Sequence, residues 1–165
     1  MTVRPNRERS EVSDIDDGLT KEEHRKIGVR HYNRCWALLD RATRTSQEDD
    51  ELLESSFVQR YHWFLAGGSD QFVMADWMVS RAAAATGHGK LALHYARLAY
   101  DRAQSPETPD WLRASVAEGV ARAYAALGDS THRDQWLRDA EELVAKIVDQ
   151  EDRELIREQL LTVPR

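Results

Sequence analysis

The stretch Ser69 to Ala103, SDQFVMADWMVSRAAAATGHGKLALHYARLAYDRA, reads as two helices joined by a tight turn. Ser69 opens the first, and Val73, Trp77, Ser80 and Ala84 recur along one side at the three- and four-residue steps of a helix. Gly87-His88-Gly89 breaks the pattern. The second helix carries Leu91, Ala92, Tyr95, Ala96, Leu98, Ala99 and Ala103. Such a pair cannot bury its own apolar face, so neighbouring pairs must complete the core.

The same punctuation recurs on both sides. Turns within pairs fall at Ser46, Gly87 and Gly128, each step 41 residues, and turns between pairs near Gly68, Pro109 and Asp149. Trp36 and Trp77 keep the same interval. Regular spacing of this kind is the signature of stacked helical hairpins; the bland alternative is a helical bundle with accidental spacing.

The first helix begins with a capping box, Thr20 with Glu23, and carries a stripe of Val29, Tyr32, Cys35, Trp36, Leu39 and Ala42. Thr45 and Ser46, with Glu48 and Asp49, start a second, whose buried face is expected to be Leu53, Phe57, Tyr61, Phe64 and Leu65; Gly67-Gly68 ends it. A fifth uses Leu112, Val116, Val120, Ala123 and Tyr124, with Thr108 as its N-cap and Pro109 as its first residue. A sixth carries Trp136, Leu137, Ala140, Leu143, Val144 and Ile147, and Asp149 caps a seventh bearing Leu155, Ile156 and Leu160. The expected fold is all-α: about seven helices, three antiparallel hairpins stacked as a right-handed α-solenoid, and a C-terminal capping helix. Residues 1–19 are polar and aperiodic and read as a flexible tail before one domain over 20–165.

Composition supports a water-borne helical domain. The chain has 165 residues, 41% hydrophobic and 32% charged, with four prolines and a formal charge of −6. That acidity speaks against a nucleic-acid partner, and no window has the roughly 20 apolar residues that a membrane span requires. Cys35 is the only cysteine, which excludes an intrachain disulfide and fits a reducing compartment; with no apolar stretch behind the N-terminus, a cytoplasmic location is expected.

In the fourth helix, Gly87-x4-Ala92-x6-Ala99 resembles the small-residue positions of a tetratricopeptide repeat. Tyr124, Gly128 and Ala140 match in the last pair, while Arg133 stands where an alanine would be expected. Asn33-Arg-Cys-Trp, Arg44-Thr45, Tyr61-His62-Trp63, Trp77-x2-Ser80-Arg81 and Ala92-Leu93-His94-x-Ala96 look like those of an uncharacterised bacterial family of helical-repeat proteins. The resemblance implies a helical-repeat fold and carries over no catalytic residue and no cofactor.

Two functional readings follow. In a tetratricopeptide-like stack the first helix of each pair lines a concave groove. The 41-residue register makes Arg81 equivalent to Arg122 and Trp77 to Glu118, so the two guanidiniums are expected side by side in the groove, where they could grip a carboxylate, phosphate or acidic peptide. Their plainer role is internal, with Arg81 on Trp77 and Arg122 paired with Glu118. This reading makes the chain a non-enzymatic module for a protein, a peptide or a small anionic ligand. The second is a small-molecule or metal-binding protein, an enzyme included, that uses His31, Cys35 and His62; Cys35 as a small buried hydrophobe is its plain counterpart. The five tryptophans, on five different helices, favour packing over a ligand cage. Open apolar ends are compatible with a homodimer.

Overall fold

The computed structural model describes residues 17–165, which form seven helices and no strand among them. They are α1 (Lys21–Leu39), α2 (Ser46–Ala66), α3 (Ser69–Ala85), α4 (Gly89–Arg102), α5 (Asp110–Ala126), α6 (Ser130–Val144) and α7 (Gln150–Leu161). Most of the expected tail, residues 1–16, lies outside the described residues.

Local chemistry sets the boundaries. Thr20 and Thr45 each accept from the backbone three residues on, while Glu23 and Glu48 reach back to the cap. Asp129 and Asp149 cap α6 and α7 in the same acceptor role. The hairpin turns at Gly87 and Gly128 have φ of 80° and 74°, a left-handed conformation that glycine adopts without a Cβ clash. The N-cap of α5 is Pro109 rather than Thr108, because the proline's extended ψ of 147° places it just outside the first turn.

Each helix packs on the next in sequence, and the backbones of α1, α3, α5 and α7 also approach in succession; α2, α4 and α6 stand further apart and meet through long side chains, Phe57 with Tyr95 and Tyr100 with Trp136. The odd-numbered layer is therefore the more closely spaced, and the array curves with that layer inside. The core sits where the hairpins meet: Leu38, Leu52, Met78, Val79, Leu112 and Val116 are fully enclosed or nearly so. Small residues let the backbones approach, notably Ala92, Ala96 and Ala99 on α4.

Two expected faces are corrected. On α2 the buried side is Leu52, Ser55, Ser56, Gln59, Trp63 and Ala66, while Phe57 and Tyr61 are exposed. Wedged between α1 and α3, this helix turns its small and hydrogen-bonding side inward: Gln59 donates to Ala75 O at 3.0 Å. On α1 the buried residues are His24, Gly28, Cys35 and Leu38; Val29 is exposed and Ala42 lies beyond the helix.

A buried charge binds the hairpins together. Asp76 on α3 is fully enclosed, and its two carboxylate oxygens accept from Arg60 of α2 at 2.6 Å and Arg102 of α4 at 2.7 Å. Both guanidiniums also lie over the Phe64 ring. A carboxylate so placed joins three consecutive helices.

At Gly28 α1 lies so close to Trp63 that an added Cβ would overlap the indole ring. Alanine in a helix is favoured over glycine by up to about 1 kcal/mol, but overpacking costs about 1–3 kcal/mol. Gly28→Ala should therefore lower stability by about 1–2 kcal/mol in chemical denaturation; a stabilised variant would show that α1 and α2 separate readily here.

Candidate functional site

The inner layer carries a groove. One part, of about 470 Å³, is walled by Tyr32 and Trp36 of α1, Met74 and Trp77 of α3, Trp111, Leu112 and Ser115 of α5, and Leu155, Ile156, Glu158 and Gln159 of α7. A second part, of about 360 Å³, adds Arg44, Ala84, Ala85, Arg122, Ala125 and Pro164, and shares Trp36, Asp40, Arg81 and Thr162 with the first. The groove thus runs from an aromatic half to a basic half, with Arg81 at the junction.

Backbone economy builds the aromatic half. Trp77 lies against Gly119, where an added Cβ would come within 2.9 Å of its ring, and its indole donates to Ser115 O at 2.9 Å. Trp36, one repeat earlier, sits 5.8 Å from Trp77 between ring centres. The Arg81 guanidinium stands 5.0 Å from the Trp36 ring and 5.4 Å from that of Trp77.

Beneath it is Glu118, completely buried. Arg81 Nη1 lies 3.4 Å from both its oxygens, and Arg122 donates to it through Nε at 2.8 Å and through Nη2 at closer range. The two arginines, Trp77 and Glu118 are therefore brought together, but their roles differ. Arg122 also donates to Gln159 O at 3.2 Å, Thr162 O at 3.1 Å and Thr162 Oγ1 at 2.8 Å, capping the carboxyl end of α7. Arg81 Nη1 is the only one of that residue's nitrogens to hydrogen-bond among the described residues. Enclosure pulls its basicity below the ordinary arginine value, and Glu118 opposes that shift.

His31, Cys35 and His62 each have a different partner. Cys35 points its thiol at Leu52 O, 3.9 Å away, and burial pushes its pKa up to about 12, so it is a protonated thiol at neutral pH. His31 Nδ1 meets Ser55 Oγ at 3.2 Å. His62 Nδ1 meets Nδ1 of the buried His24 at 2.7 Å, and Asp17 lies 3.4 Å from the far nitrogen of His24. Among the described residues no three histidine, cysteine or acidic side chains gather as a metal set would, and no helix is long and apolar enough to cross a membrane.

Sequence reasoning missed Tyr32, Met74, Trp111 and the α7 wall as groove residues. The register carried a signal for α1 and α3, since Trp36 and Trp77 are equivalent, but α7 belongs to no pair. Trp63 and Trp136 do pack internally, against Tyr32 and Tyr100. Trp36, Trp77 and Trp111 pack in or against the core as expected and, in addition, line the groove.

No family model matches the chain, and no curated protein or solved structure matches it. The groove must be read from its own residues.

Two predictions follow from this geometry. Arg122→Ala should free the end of α7 and leave Glu118 with one distant partner, a loss of about 3 kcal/mol. Hydrogen exchange should quicken first in residues 150–161, and uniform exchange along the chain would contradict the latch.

The second concerns the histidine pair. Burial, then the neighbouring His24, lowers the pKa of His62; Asp17 opposes this and His31 adds to it. The ring of Tyr61 also abuts it. The folded chain resists a proton that the unfolded chain accepts near pH 6.5. Stability is thus complete above that value and falls on acidification from about pH 6.5 towards the depressed folded pKa. The denaturation midpoint should drop between pH 7.5 and 5.5, and His62→Gln should flatten that drop; an undiminished drop would assign it elsewhere.

Proposed function

We propose that this chain is a non-enzymatic interaction module that holds a peptide segment of a partner protein in its inner groove. The observation that supports this most is the continuous groove, aromatic at one end and basic at the other, on the closely spaced layer of a helical-repeat array. The tetratricopeptide-like positions Gly87, Ala92 and Ala99 accord with it, since repeats of that type present their first helices to ligands. An aromatic-walled cleft of a few hundred Å³ has the size to take one or two side chains. Apolar anchors in such clefts dominate peptide affinity, with polar groups setting orientation. The inner face is also prepared in advance: Trp36, Trp77 and Arg81 hold one another in place before any ligand arrives, which lowers the ordering cost of binding.

Leu155 lines the groove yet is 53% exposed, so it can be changed without touching the core. In a random-peptide display selection, bound peptides should share an apolar anchor. Leu155→Glu should weaken them at least about tenfold, the loss of one well-buried apolar contact. His94→Ala, on the outer layer, should leave binding intact. Binding that followed His94 and ignored Leu155 would move the site to the other face.

A further inference from the structure

Resting on that groove, we infer that its ligand presents a free carboxylate beside an aromatic or large apolar group, as the last residue of a peptide does. Three observations carry this. First, two guanidiniums share one enclosed carboxylate, which leaves the Arg81–Glu118–Arg122 cluster with one surplus positive charge at the groove floor. Arg122 spends its remaining donors on α7, so that charge faces the groove through Arg81. Second, Arg81 lies at the junction of the two halves with no hydrogen bond from Nε or Nη2 among the described residues, and these are the pair of donors that grips a carboxylate side-on. A group held there sets its adjoining side chain against Trp36, Trp77 and Trp111. Third, Gln159 Oε1, buried in the wall of the aromatic half, has no hydrogen-bond partner among the described residues. A buried acceptor left open costs free energy, and the amide N–H of a terminal residue would satisfy it.

Asp40 decides the sign of the test. It occupies the position one repeat before Arg81, is exposed at the rim of both halves, and works against an anion there. Removing its charge should strengthen anion capture, whereas it would weaken or leave unchanged the capture of a neutral or cationic ligand.

The probes are a fluorescent Gly-Ser peptide ending in phenylalanine with a free carboxylate, the same peptide amidated, one ending in alanine, and 3-phenylpropionate as a free small acid. They are titrated into the full chain, with quenching of the groove tryptophans as a second readout. The acid peptide should bind on the order of tenfold more tightly than the amide, and the alanine peptide should lose a similar factor. Asp40→Asn should widen the acid–amide gap. Arg81→Gln, checked for folding by circular dichroism, should close it. Binding of 3-phenylpropionate alone, with the same response to Asp40→Asn, would keep the carboxylate site and overturn the peptide reading. Equal binding of acid and amide, lost in Leu155→Glu, would keep the groove and overturn the carboxylate. If no probe binds or quenches, the inference fails altogether.

Discussion

Glu118 has no access to water, and a carboxylate in that position must be matched by cations held at short range or the helix around it will not pack. Two arginines supply the match, one from α3 and one from α5 itself. The arrangement therefore does more than neutralise a charge. Arg122, once turned towards Glu118, has donors left at the height of the last turn of α7, and it is these that bring the C-terminal helix against α5. Arg81, turned the same way, is laid between two tryptophans. One enclosed carboxylate thus fixes the floor of the groove, one of its walls and the cation at its centre.

The same device appears on the other side of α3, where Asp76 gathers Arg60 and Arg102. Its placement differs in a way that matters. The guanidiniums around Asp76 come from flanking even-numbered helices and lie over Phe64 and Tyr95 on the outer layer, away from the groove. Their Nε atoms meet the carboxylate at 2.6 and 2.7 Å, so that cluster is closed upon itself and ties α2, α3 and α4. In the Glu118 cluster the Arg81 contacts are 3.4 Å, leaving that guanidinium less committed. The Asp76 cluster ties three helices together, and the Glu118 cluster leaves part of the Arg81 guanidinium turned to the groove.

What the sequence disclosed follows from which interactions are local. The caps at Thr20, Thr45 and Asp149 and the glycine turns at 87 and 128 depend on residues a few positions apart, and they were legible. The pairs Arg81 with Trp77 and Arg122 with Glu118 were legible too, because each partner lies one helical turn away, and the fixed repeat, which turns register into spatial neighbourhood, disclosed that the two arginines are neighbours. The faces of α1 and α2 were not. Choosing the largest apolar residues placed Phe57 and Tyr61 inside, whereas close helix contact selects Ser55, Ser56 and Gln59. The His24–His62 contact escaped as well, since 38 residues separate them and neither shares a register position with the other. The α7 wall escaped for a related reason: it falls outside the repeat, and only Arg122 reveals where it docks.

Register also explains why the groove has polarity. Positions 40, 81 and 122 are equivalent, yet they hold aspartate, arginine and arginine. Had all three been arginine, the inner layer would carry a uniform basic ladder suited to a long polyanion. With aspartate first, the field reverses within one repeat, so an extended anion gains at Arg81 and loses at Asp40. A short ligand with a single negative end avoids that conflict, provided its remaining bulk is apolar and lies towards Trp111 and Leu155. The second equivalence, Trp36 and Trp77 with Glu118, acts in the same direction. The third indole is replaced by the carboxylate that recruits both cations, so aromatic surface ends where charge begins. The two substitutions within an otherwise regular repeat are what make one point of the groove different from the rest.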